Sequence, residues 1–177
     1  DSVRSARAAA HVYRVQIGGF GRNARLLLLS TTLGAFSVGV FAVAYNLYVL
    51  ALGFDAAAAG RLITAGSLAA GLTAIPAGLL AMWAGAKRLI LGGALFLGIG
   101  AVFQIVPGGY GYLLAGAALG GIGGVLWSVV LSPLLAASAG GAARGYLFTV
   151  SAVLFLGASF AGNVLGGWAP GEVSKAT

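Results

Sequence analysis

The chain has 177 residues, of which 60% are hydrophobic and 7% charged, and a net charge of +7. A water-soluble domain carries about 25% charged residues, so this composition excludes a surface built for water and implies an all-α polytopic membrane protein. The lack of cysteine excludes disulfides, thiolate metal sites and cysteine nucleophiles, and the placing of most cations at the ends of apolar runs argues against a nucleic-acid-binding face.

The chain opens on a basic segment, residues 1–25, with Arg4, Arg7, Arg14, Arg22 and Arg25. It reads either as a surface helix on anionic lipid, interrupted at Gly18, Gly19 and Gly21, or as a tail that only fixes topology. The first residue is Asp1 and the one methionine is Met82, so a fragment or trimmed chain is expected. A crossing helix needs about 20 apolar residues. Leu26–Leu52 supplies the first, and Asp55 stands where the next helix needs an N-cap. Ala57–Trp83 is the second predicted span. No charge occurs between Arg88 and Arg144, and "VPGGYG" divides that stretch into Leu89–Val106 and Tyr112–Ser138. A fifth span runs from Gly145 to Trp168. Residues 170–177 read as an outer loop or a truncated end. The runs lack the period-two alternation of barrel strands.

Lys and Arg counts set the orientation. Arg22, Arg25, Lys87, Arg88 and Arg144 fall on one side, predicted to be cytoplasmic. Arg61, Lys175, Asp55 and Glu172 fall on the other. Trp83 and Tyr146 are expected at the inner interface; Tyr110, Tyr112 and Trp168 are expected at the outer one. The expected location is the cell membrane, inner or plasma, crossed several times with a cytoplasmic N-terminus.

"GLLAMWAGAKR", Gly78–Arg88, resembles the loop signature of the major facilitator superfamily, roughly G-x-L-A-D-R-x-G-R-K-R. Gly78, Leu80, Ala81, Gly85, Lys87 and Arg88 match; Met82 and Trp83 replace its Asp-Arg pair, and Ala86 its next Arg. "YNLYVLALGF" is similar to the end of helix 1 in many members, and Pro76 to a common helix-2 proline. "GNVLGG", Gly162–Gly167, resembles the helix-5 pattern G-P-x-x-G-G, with Asn163 for Pro. The resemblance covers Asn23 to Trp168. It implies a partial N-terminal half, about helices 1–5, of a twelve-helix bundle with a central site and alternating access. The implied partners are the bilayer, a small-molecule substrate and the C-terminal half of the same protein. Gly78, Gly85, Lys87 and Arg88 would form the cytoplasmic gate loop, its cations held by helix-dipole and carbonyl contacts. The family's helix-4 R-x-x-x-G-x-G pattern would fall on Ala117, Gly121 and Gly123, so its arginine is absent. Coupling to protons would then reside elsewhere, or the protein is a facilitator.

Small residues let helices approach closely in lipid. Gly116, Gly120 and Gly124 recur at spacing four, as do Ala158, Gly162 and Gly166, with Gly167 adjoining; Ser67 and Gly71 share the pattern. These stripes serve either static packing or sliding. Arg61 either snorkels to headgroups or faces a cavity as an anion attractor beside Thr64. Asn46, near Tyr45 and Tyr48, lies in a pathway or makes an interhelical hydrogen bond. Trp127 and Ser128 line a cavity or pack; Asn163 supports a kink or lines the pathway. Gln104 is expected at the outer interface. The spans hold no Asp, Glu, Lys or His, and His11 lies in the basic segment, so no acid-base pair, metal site or cofactor is expected and the chain is not expected to be an enzyme. The expected activity is transport of a small solute by alternating access. The alternative is a non-transporting scaffold or receptor-like module.

Overall fold

The computed structural model describes residues 21–106, 108–138, 140 and 143–176, with side chains as far as Trp168. The basic segment up to residue 20, His11, Pro107 and the side chains of Glu172 and Lys175 therefore lie outside the described part. Among the described residues there are five α-helices and no strand: α1 (Arg22–Ala51), α2 (Ala56–Ala84), α3 (Ala86–Ile105), α4 (Tyr110–Ala137) and α5 (Ala143–Ala176). Each contains a window long and apolar enough to cross a membrane; in α5 that window belongs to Ala143–Trp168. The backbone of α5 stays helical beyond Trp168, where the sequence reading ends the span.

The exposed residues identify the solvent. Trp83, Met82, Leu72 and Ile75 of α2 are 87%, 81%, 80% and 77% exposed. In water such a helix would forfeit about 1.5–3 kcal/mol for each large side chain left unburied; in lipid it forfeits nothing. The chain is a multi-pass membrane protein by composition and by the surfaces its helices present.

Local chemistry sets the helix ends. α1 closes in a Schellman arrangement: Gly53 adopts φ +87°, its N–H donates to Leu50 O at 3.0 Å, and the Phe54 N–H donates to Val49 O at 3.3 Å. Asp55 then opens α2, its Oδ1 accepting from the Ala58 N–H at 2.7 Å. Between α2 and α3 the connection is the single residue Gly85, at φ +76°.

The described residues fall into two compact units. One combines those up to Tyr48 with those from Leu134 onward, and the other is Val49–Pro133. In the first, α5 lies along α1. A Cβ on Gly39 would meet the Ser159 carbonyl and the Asn163 amide; one on Gly162 would meet Phe36 and Val40; one on Gly166 would meet Val40 O at 2.8 Å. Residue numbers rise together, so the two helices are parallel. Three intervening crossings restore the chain to its first direction, which is what this pairing requires.

In the second unit α4 has neighbours on two faces. Gly116 and Gly123 meet Gly100 and Gly93 of α3, with numbers running in opposite senses, so α3 and α4 are antiparallel. Ala117 and Gly121 meet Gly66 of α2. At about 100° per residue, Gly116 and Gly121 point about 140° apart. Accordingly α4 has 28% of its apolar window buried, against 11% for α2.

Candidate functional site

Several polar side chains within the spans bond to their own helix. Asn46 Nδ2 donates to Ala42 O at 3.0 Å, and the Ser37 and Ser128 hydroxyls donate to Leu33 O and Val125 O. Thr64 and Thr73 likewise donate to Gly60 O and Ala69 O. Each of these bonds stays within one helix, and where helices meet closely the contact is made by glycine backbone. Asn46, read from the sequence either as a pathway residue or as an interhelical hydrogen-bonding group, here donates to the preceding turn of its own helix.

Within each unit the sequence-selected pathway residues lie apart. Tyr45 is half-buried and stacks on Phe41, ring centroids 5.2 Å apart. Asn163 is exposed, with its backbone level with Gly39. Asn46 stands seven residues beyond Gly39 on α1, about 10 Å further along the axis. Arg61 lies beside Tyr110 at the start of α4, its guanidinium 6.0 Å from the ring centroid. Trp127 and Ser128 are seventeen or more residues along that helix, about 25 Å away. Trp127 is 36% exposed, and its amide would lie 3.2 Å from a Cβ on Gly93.

Around Arg61 a cluster does assemble. Its Nη2 lies 3.9 Å from Asp55 Oδ1, the oxygen that also caps α2. Tyr110 in turn meets Phe54, ring centroids 5.6 Å apart. Asp55 is therefore both cap and ion-pair partner, whereas the sequence favours the cap alone. Asp55 and Arg61 stay 71% and 67% exposed, so the ion pair is a weak surface contact.

At the opposite end of α2, the Gly85 joint presents Lys87 and Arg88, both exposed, in the first turn of α3. Cations there oppose the helix dipole. Among the described residues neither donates to a carbonyl. The local helix gains nothing from these charges; their placing suits an anionic lipid surface. Gly78 and Gly85 face open space.

Gln104 is packed more closely than its sequence reading implies. One residue from the end of α3, it is 8% exposed: its Cγ would lie 2.6 Å from a Cβ on Gly116, and its Nε2 4.0 Å from one on Gly120. The missing side chains of α4 make the notch that receives it. Its Oε1 has no hydrogen-bond partner among the described residues. Of the spacing-four glycines of α4, Gly116 is at the contact, Gly120 at its margin, and Gly124 faces open space. In α5, Gly162 and Gly166 meet α1 backbone, while Gly167 makes ordinary contact with Val43 Cγ1 at 3.7 Å.

No protein-family model matches the chain, and neither a curated protein nor a solved structure matches it.

Proposed function

We propose that the chain is the N-terminal portion of a major facilitator-like transporter that moves a small solute by alternating access. One observation carries this reading. The stretch Gly78–Arg88, which resembles the family's loop signature, has its glycine at a one-residue joint between two apolar helices, with Lys87 and Arg88 exposed beside it. The positive-φ Gly85 and the two cations are the parts of that signature a tight inner turn needs. The side-chain-free seams add support. Gly39, Gly162 and Gly166 give α1 and α5 smooth facing surfaces, and a rocking bundle needs surfaces that slide without unlocking. In this reading the N-terminus and the Gly85 joint face the cytoplasm of a cell membrane, and the substrate site is shared with a C-terminal half.

Ala117 packs at Gly66, whose Cβ, were one present, would lie 3.0 Å from the Ala117 carbonyl. An ionisable helix-4 group is thus replaced by a packing contact. Proton coupling then belongs to another part of the protein, or transport is facilitated diffusion.

The test is solute uptake and efflux by the full-length protein in vesicles, with and without a proton gradient. Transport that changes when Lys87 and Arg88 are both replaced by Gln, with topology retained, is the expected result. A folded protein that moves no solute across a broad panel would favour the scaffold or receptor-like alternative.

A further inference from the structure

A groove of about 440 Å³ opens at the start of α1, lined by Asn23, Leu26, Leu27, Ser30, Leu134 and Ser138. All six residues belong to one compact unit. Its volume is that of a ligand site, about 300–1,000 Å³. From Asn23 to Ser30 the groove follows α1 for about 10 Å, beginning at the polar end of the helix and running into its apolar span. Asn23 lies in the first turn of α1 and Ser138 just past the end of α4. The floor is leucine, and the Ser30 hydroxyl is turned into its own helix, donating to Leu27 O at 2.9 Å. The Ser138 hydroxyl likewise donates to Leu134 O at 2.7 Å.

The charges at the starts of α1 and α5, which run parallel, share one sign. Arg22, exposed, adjoins Asn23 at the head of α1; Arg144, exposed, begins α5 six positions after Ser138. The chain has three carboxylates, Asp1, Asp55 and Glu172, and none falls within residues 21–48 or 134–168. No carboxylate among those residues competes for the two guanidinium groups. A polar, cationic rim over an apolar channel that descends into the hydrocarbon matches one molecule: an amphiphile with an anionic head and an acyl tail.

We propose that this groove is a binding site for one anionic phospholipid, its phosphate held at the rim by Arg22 with Arg144 alongside, and an acyl chain laid against Leu26, Leu27 and Leu134. The site does not depend on transport.

The test is lipid binding to the full chain in detergent, followed by intact-complex mass spectrometry. Dioleoyl phosphatidylglycerol is expected to bind saturably, one per chain. Dioleoyl phosphatidylcholine should bind at least about five-fold more weakly, and Arg22→Gln should remove about five-fold of the preference, one cation at an anionic surface. Ser30→Trp, which fills the channel, should abolish binding. A phosphatidylglycerol carrying a photoreactive acyl chain should label residues 22–30 and 134–138 of the unsubstituted chain, which decides the matter even if Ser30→Trp fails to fold. Equal retention of the two lipids, labelling elsewhere, or displacement by millimolar glycerol phosphate would each overturn the proposal.

Discussion

Gly100 of α3 and Gly116 of α4 meet backbone to backbone: a Cβ on Gly100 would lie 2.9 Å from the Gly116 carbonyl oxygen, and one on Gly116 would lie 2.7 Å from the Gly100 carbonyl oxygen. Seven residues from each, Gly93 and Gly123 repeat the arrangement. Seven residues are almost two full turns, so both contacts lie on one stripe of each helix.

That seam sets apart two neighbouring glycines. Gly123→Ala would place its methyl 2.7 Å from Gly93 O and 2.8 Å from the Leu97 amide, so α3 must shift. The expected loss is about 1–3 kcal/mol in a reversible unfolding measurement in bilayer-like detergent. Gly124→Ala meets nothing within 4 Å, and its expected effect is within about 0.5 kcal/mol or stabilising. Equal losses at the two positions would contradict the seam.

Parallel packing of α1 and α5 can be read by cross-linking, and the chain's lack of cysteine provides a clean background. Cysteines replacing Val43 and Gly167 should form a disulfide on mild oxidation. Cysteines replacing Val43 and Gly157, the pair an antiparallel arrangement would bring together, should not. The reverse pattern would overturn the direction assigned to α5.

Asp55 matters more than Arg61. Asp55→Ala removes both the cap and the ion pair, and about 1 kcal/mol is expected from the cap alone. Asp55→Asn keeps a capping oxygen and should lose less. Arg61→Ala removes an exposed pair worth less than about 1 kcal/mol. Thermal unfolding of the three variants should rank Asp55→Ala as the least stable.

Gly85 serves its backbone and Gly78 does not. Gly85→Ala forces a side chain into φ +76° although nothing lies within 4 Å, and a loss of about 1 kcal/mol is expected. Gly78→Ala, inside α2 with equally open space, should be neutral or stabilising. The same unfolding assay separates them.

The helices were legible because lipid demands a long apolar run and punishes a charge within it, so Asp55, Lys87, Arg88 and Arg144 punctuate the chain plainly. Which glycines make contact was not legible. A spacing-four stripe such as Gly116, Gly120 and Gly124 describes one helix alone, whereas contact depends on where the neighbour's own gaps fall. Gly121 and Gly123 lie two positions apart and serve different partners, a distinction only the packed pairs reveal. Gln104 shows the same limit: its burial follows from the absent side chains of Gly116 and Gly120, twelve and sixteen residues away. The opposite case is Asp55, whose capping role is local chemistry and could be read from the residues around it.

The most direct measurement is the accessibility of single cysteines in sealed vesicles containing the full chain. Cysteines replacing Ala56, before Arg61, and Val106, before Tyr110, should react with an impermeant reagent from one side of the membrane. A cysteine replacing Ala86, beside Gly85, should react only from the other. If Ala86 shares a side with Ala56 and Val106, then α2 and α3 do not each cross the bilayer, and the five-span arrangement is wrong.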